Sequence, residues 1–129
     1  MKNSIPFRTI DANLNRFKEG IRVVEDILRY EFSSPLAKTL KEIRHIKVPD
    51  YEEIISFRDA NNDILKKSTS SELNRTSIKD LIISNLKRAQ ESARVLEEIY
   101  KLIDKKTSEE FKKRRYQLYT LEKEIISAI

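Results

Sequence analysis

Leu14, Phe17, Ile21, Val24 and Leu28 recur at alternating spacings of three and four, the period of an apolar stripe on one helical face, and predict a helix from about Asp11 to Glu31. Asp11 or Thr9 is placed to cap its start. Ser34-Pro35 reads as an N-cap followed by proline at the first helical position, opening a second helix through Leu36, Leu40 and Ile43 that Pro49 must end. Asp50-Tyr51-Glu52-Glu53 has the form of a capping box and predicts a brief third helix from Tyr51 to about Arg58. From Asp59 to Ser71 the apolar period is lost and Asn61, Asn62, Asp63, Ser68, Thr69, Ser70 and Ser71 gather, the composition of a loop or linker. The three-four rhythm returns in Ile82, Leu86, Ala89, Ala93, Leu96, Tyr100 and Ile103, predicting one long helix from about Ser77 to Asp104. Thr107 with Glu110 reads as the cap of a last helix, whose apolar side carries Phe111, Leu118, Leu121, Ile125 and Ala128.

The two long helices are copies of each other. Residues 13–30 match 85–102 at eight of eighteen positions, where about one match is expected by chance. Retained are Asn13/Asn85, Leu14/Leu86, Arg16/Arg88, Glu19/Glu91, Arg22/Arg94, Val23/Val95, Glu25/Glu97 and Ile27/Ile99. Packing alone does not preserve so many polar side chains. The following helices correspond too, Leu40-Lys41 and Arg44 aligning with Phe111-Lys112 and Arg115. The expected fold is therefore all-α: a single domain over residues 1–129, an antiparallel helical bundle of two duplicated helix hairpins (about 11–47 and 83–125) with a short extra helix and loop between them.

On the helical wheel Arg16, Glu19, Arg22 and Asp26 fall opposite the apolar stripe, with Asn13 and Glu25 flanking it. Such a ridge has two readings. The two ridges converge on a shared cleft, or they face water and make i to i+3 pairs worth a few tenths of a kcal/mol each.

Composition narrows the chemistry. With Gly20 the only glycine, no phosphate-cradling P-loop or dinucleotide-binding loop is present. With no cysteine and His45 the only histidine, there is no disulfide, thiolate nucleophile or Cys-type zinc site, and His45 reads as a surface or packing residue. The net charge of +5 is spread among 26 basic and 21 acidic residues, which suits small anionic ligands and a solvated helical surface equally. No segment has the apolar length of a signal peptide core or a membrane span, so a cytoplasmic protein without a membrane partner is expected.

The strings Asp11-Ala12-Asn13-Leu14-Asn15-Arg16 and Glu19-Gly20-Ile21-Arg22-Val23-Val24-Glu25-Asp26 resemble the opening motif of the ThiD2 family. Three further blocks agree: Arg58-Asp59 with Asp63; Asn85-Leu86-Lys87-Arg88-Ala89 through Glu91 and Arg94-Val95-Leu96-Glu97-Glu98; and Arg115-Tyr116 with Tyr119 and Leu121-Glu122. The resemblance runs from about Thr9 to Ile125. One departure is that Asp63 precedes Ile64-Leu65 where the family pattern has Val-Gly, which puts a glycine-dependent turn there in doubt.

That resemblance implies a phosphomethylpyrimidine kinase of thiamine biosynthesis. The enzyme would transfer the γ-phosphoryl group of ATP to 4-amino-5-hydroxymethyl-2-methylpyrimidine phosphate, with Mg²⁺ accompanying ATP as co-substrate. Phosphoryl transfer rests on positioning and charge neutralisation. Arg22, Arg94, Arg58 and Asp59 are accordingly the expected catalytic residues. Asn13, Arg16, Glu19, Asn85, Arg88, Glu91, Arg115 and Tyr116 are the expected substrate- and phosphate-binding residues, and Asp59 and Asp63 the expected Mg²⁺ carboxylates. Tyr116 has a second reading as a buried aromatic.

The rival is a non-catalytic helical module that binds or regulates thiamine phosphate synthase, the domain to which this family is often fused. A nucleic-acid partner is disfavoured because acidic residues alternate with the arginines and no aromatic-interleaved basic patch occurs. Whether the chain forms a homo-oligomer stays open.

Overall fold

The computed structural model describes residues 4–129, and every regular element among them is helical. Residues 1–3, part of the amino-terminal stretch expected above to lack the apolar length of a signal peptide core, lie outside the described residues. The order is α1 (Phe7–Tyr30), α2 (Leu36–Arg44), α3 (Tyr51–Ser56), a single 3₁₀ turn (Ala60–Asn62), α4 (Ser70–Leu73), α5 (Ile78–Tyr100) and α6 (Lys105–Ala128). No described helix is long and apolar enough to cross a membrane.

The apolar stripes meet to form the core. Leu14, Phe17, Ile21, Val24 and Leu28 of α1, and Ile82, Leu86, Ala89, Ala93, Leu96 and Tyr100 of α5, are each at most 1% exposed. Burial of each large side chain contributes about 1.5–3 kcal/mol relative to exposure. Phe111 of α6 joins them, edge-on to Phe17 (centroids 5.6 Å apart) and stacked on Tyr100 (5.8 Å). Gly20 of α1 lies against Asn85 and Ala89 toward the middle of α5. Asn13, earlier on α1, shares a cavity with Ser92 and Val95, later on α5, so the two long helices run antiparallel.

Gly20 is required by that crossing. A Cβ built there would stand 2.8 Å from the Asn85 carbonyl oxygen, closer than a carbon tolerates against backbone.

Each half ties its second helix to its first with the same buried ion pair. Arg44 of α2 donates to both carboxylate oxygens of Glu25 (2.6 and 3.2 Å), and Arg115 of α6 donates from Nε and Nη2 to Glu97 (3.1 and 2.9 Å). Both carboxylates are at most 5% exposed. The Glu25 hydrogen bonds push the Arg44 pKa above its usual value, against the cost of burial. For Arg115 the Tyr119 hydroxyl bond comes first and Glu97 adds to it.

Several expected ends are corrected. Helix α1 starts at Phe7, four residues before Asp11, with Pro6 at the cap position. Asp11 is not a cap; it is 3% exposed on the second turn, where a tertiary ion pair claims its carboxylate. Pro35, not Ser34, takes the cap position of α2, which starts at Leu36 without a side-chain cap; Ser34 stands one residue earlier, its Oγ accepting from the Leu36 amide. The capping box at Asp50 does not form: Asp50 adopts a left-handed conformation (φ 58°), no side chain caps α3, and that helix ends at Ser56. A capping box forms instead inside the expected loop, between Thr69 and Glu72, starting the one-turn α4. The last helix is capped by Asp104, which accepts from the Lys106 amide and the Thr107 hydroxyl, not by Thr107 with Glu110.

Candidate functional site

Two adjoining hollows open along the exposed side of α1 and α5. The first, about 690 Å³, lies between α1 and the segment that follows α3, and is lined by Asn13, Arg16, Glu19, Arg58, Asp59 and Asp63, together with Arg8, Asp11 and Ile64. The second, about 500 Å³, lies between α1 and α5 and is lined by Asn13, Arg16, Arg88, Glu91 and Val95, with Leu65 and Glu72 contributed from the connecting segment. Asn13 and Arg16 border both.

The wall facing α1 is held by two arginines. Arg58 donates from Nε and Nη2 to the two oxygens of Asp11, at 2.8 and 2.7 Å. This bidentate bond to Asp11 is the main cause that pushes the Arg58 pKa above the usual arginine value. Arg8 donates to the Asp59 carbonyl at 2.9 Å. These contacts bridge chain separations of 47 and 51 residues and fix where Asp59, Asp63 and Ile64 stand.

The guanidinium groups divide into two classes. Arg22 pairs with Asp26 (3.1 Å), Arg94 with Glu97 (3.0 Å), Arg44 with Glu25, Arg58 with Asp11 and Arg115 with Glu97. Arg16 and Arg88 make no hydrogen bond or ion pair among the described residues, and the same holds for Glu19 and Glu91. Arg16 and Arg88 occupy equivalent positions in the two halves and line one cavity. Asn13 and Asn85 are also treated alike, each donating its side-chain N–H to the carbonyl four residues back, Thr9 at 3.0 Å and Leu81 at 2.8 Å.

The structure thus brings together Asn13, Arg16, Glu19, Arg58, Asp59 and Asp63 around one hollow, and Asn13, Arg16, Arg88 and Glu91 around its neighbour. It leaves other expected residues outside. Arg22 and Arg94 are about half exposed (54% and 55%) on flanks away from both hollows, paired along their own helices. Arg115 is enclosed against Glu97 and Tyr119 and has no free face for a phosphate. Tyr116 is not buried, and the arginine it meets is Arg115, whose guanidinium lies 5.1 Å from its ring centroid, not Arg16 or Arg88. It is 56% exposed and lines a separate groove between α2 and α6, edge-on to Tyr119. Asn85 lines neither hollow; its backbone carbonyl meets Gly20.

The expected Mg²⁺ carboxylates are also engaged locally. Asp59 accepts from the Asn62 amide at 3.0 and 2.8 Å, and Asp63 accepts from the Leu65 amide at 2.9 Å, the bond that turns the chain at Ile64-Leu65 without a glycine. Among the described residues no group of three or more His, Cys, Asp or Glu could hold a metal ion. Asp59 and Asp63 therefore do not fit an all-protein cage. Mg²⁺ carried on phosphates needs only one or two carboxylates, and they meet that smaller requirement.

Three features escaped the sequence reading: the burial of Asp11, the twin ion pairs, and the apolar Ile64-Leu65 between the hollows. A signal for the twin pairs was present, since Glu25/Glu97 and Arg44/Arg115 recur together in the two copies.

Comparison with known proteins gives a consistent result. The ThiD2 family model matches residues 8–124. The thiamine-phosphate synthase of Synechocystis sp. (strain ATCC 27184 / PCC 6803 / Kazusa) is 36% identical over 124 residues, covering 94% of this chain and 36% of its own length. That of Nostoc sp. (strain PCC 7120 / SAG 25.82 / UTEX 2576) is 38% identical over 121 residues, 92% of this chain and 34% of its own. That of Thermosynechococcus vestitus is 35% identical over 118 residues, 89% of this chain and 34% of its own. The chain spans about a third of the length of the curated relatives it matches. No solved structure matches. These names correct the kinase expectation: the relatives that match nearly the whole chain are thiamine-phosphate synthases, and neither phosphomethylpyrimidine kinase activity nor ATP as co-substrate has support among them.

Proposed function

Because the chain belongs to the ThiD2 family, we propose that it is the helical module of a thiamine-phosphate synthase system, and that its α1–α5 hollow binds a phosphate-bearing pyrimidine of thiamine biosynthesis on behalf of that synthase. The observation that carries this reading is the pair Arg16 and Arg88, equivalent side chains lining one cavity with no carboxylate bound to either. Other arginines of the two copies, Arg22, Arg44, Arg94 and Arg115, are neutralised by a carboxylate. Two unpaired guanidinium groups around one concavity repel each other. A phosphate accepting planar, charge-assisted hydrogen bonds from both removes that repulsion. Glu19 and Glu91, also unpaired, flank the arginines and disfavour a long polyanion such as nucleic acid over a small ligand. Mg²⁺ would enter with the phosphates, Asp63 and Asp59 being the carboxylates on the adjoining wall.

The test is calorimetric titration of the chain with 4-amino-5-hydroxymethyl-2-methylpyrimidine phosphate, with and without Mg²⁺, on the wild type and on Arg16→Gln and Arg88→Gln. Loss of one charge-assisted contact is worth about 1.5–3 kcal/mol. Each variant should therefore bind about 10- to 100-fold more weakly while keeping the wild-type circular dichroism. Unchanged affinity in both variants would sink the reading.

A further inference from the structure

Between α3 and α5 the chain carries two consecutive apolar side chains, Ile64 and Leu65, 95% and 74% exposed, inside an otherwise polar run that includes Asn61, Asn62, Asp63, Lys66 and Lys67. Neither packs into the core. The turn closed by Asp63 sends them into different hollows: Ile64 lines the one against α1, Leu65 the one between α1 and α5 that holds Arg16 and Arg88. The second hollow has another aliphatic wall, Val95 of α5, itself 37% exposed. It also has oxygen acceptors. One N–H of the Asn13 amide goes to the Thr9 carbonyl, which fixes the side chain and leaves its oxygen to accept, and the Glu91 carboxylate has no partner among the described residues. At about 500 Å³ the cavity is of the size that takes a small ligand.

A cavity for phosphate alone needs cations, not aliphatic walls. We infer that Leu65 and Val95 are specificity-determining residues: they enclose the flat ring of the ligand whose phosphate rests on Arg16 and Arg88, while Asn13 and Glu91 accept hydrogen bonds from an amine on that ring. The site then selects the phosphate ester of an amine-bearing planar heterocycle over phosphate or pyrophosphate. This rests on the phosphate reading above and extends it from the anion to the ring.

Leu65 is exposed, so its substitution leaves the core intact, and Ile64 supplies an internal control one residue away on the other side of the turn. Affinities are measured for 4-amino-5-hydroxymethyl-2-methylpyrimidine phosphate and for inorganic pyrophosphate. Leu65→Ser is expected to weaken the pyrimidine phosphate about 5- to 10-fold and to leave pyrophosphate unchanged. Glu91→Gln should likewise weaken only the pyrimidine ligand, and Ile64→Ser should alter neither. The inference is overturned if Leu65→Ser changes both ligands equally or neither, or if Ile64→Ser weakens the pyrimidine phosphate as much as Leu65→Ser. Pyrophosphate binding that depends on Arg16 and Arg88, with no preference for the ring, sinks this inference alone; absence of binding by both ligands sinks the phosphate reading with it.

Discussion

Arg58 holds Asp11 through two hydrogen bonds of 2.8 and 2.7 Å, joining the segment after α3 to the second turn of α1 across 47 residues of chain. The carboxylate is buried, at 4% side-chain exposure, while the arginine is 38% exposed. The pair therefore acts as a rivet driven from the surface into α1. What it fixes is the wall of the first hollow, because Asp59 and Asp63 follow directly.

Arg58→Ala should free that wall without melting the bundle. The core lies on α1, α2, α5 and α6, and α3 contributes only Ile54 to it. Limited proteolysis is expected to cut the variant faster within residues 59–73, with helical circular dichroism retained and the melting temperature lowered by the unpaired Asp11 carboxylate. An unchanged cleavage rate there would show that other contacts hold the wall.

The twin ion pairs make a separate prediction. Glu97 has 5% side-chain exposure, so Arg115→Met leaves a buried carboxylate with only the half-exposed Arg94 beside it. The cost should be about 2–3 kcal/mol in urea unfolding at neutral pH. Combining it with Glu97→Leu should cost less than the sum of the two single changes, since the double variant buries no orphaned charge. Arg94→Gln, which removes a partner reaching in from solvent, should cost under about 1 kcal/mol. Strict additivity of the first two substitutions would mean that Glu97 and Arg115 are not energetically coupled.

The stripes of α1 and α5 were legible because a 3.6-residue period is a local property, written in residues that all end up buried. The caps were less so. Asp11 and Thr107 have side chains suited to capping, and each is claimed by a neighbour the period does not reveal: Asp11 by Arg58, and Thr107 by the Asp104 that caps in its place. The candidate site divides in the same way. The repeat singled out Arg16, Arg22, Arg88 and Arg94 together, but which pair stays free depends on the carboxylates beside each. Asp26, four residues on, takes Arg22 and Glu97, three residues on, takes Arg94, whereas Glu19 and Glu91, each three residues beyond an arginine, take neither Arg16 nor Arg88. Spacing alone does not distinguish these cases.

Gly20→Ala tests the helix crossing. Alanine gains about 1 kcal/mol of helix propensity over glycine, but its Cβ would meet the Asn85 carbonyl oxygen at 2.8 Å. Overpacking against backbone costs about 1–3 kcal/mol, so the urea midpoint is expected to fall despite the better helix former. A rise in the midpoint would mean that α1 and α5 separate at little cost, and with them the walls of the Arg16–Arg88 hollow.

The last prediction concerns alkaline pH. Tyr100 is 1% exposed and its hydroxyl has no hydrogen-bond partner. Burial, with smaller contributions from Asp50 and Asp104, pushes its pKa from 10.0 to about 12. A folded-state pKa above the unfolded value means that, between these two pH values, the unfolded chain gives up the phenolic proton while the native state keeps it. The Tyr100 contribution is therefore fully present below pH 10 and is lost progressively as pH rises toward 12. Tyr100→Phe removes this dependence and leaves no polar atom unsatisfied, so at neutral pH its stability should equal the wild type within about 1 kcal/mol. Urea titrations across the alkaline range should show the wild type losing stability faster than the variant, since lysine titration is common to both. Parallel curves would place the Tyr100 hydroxyl in contact with water.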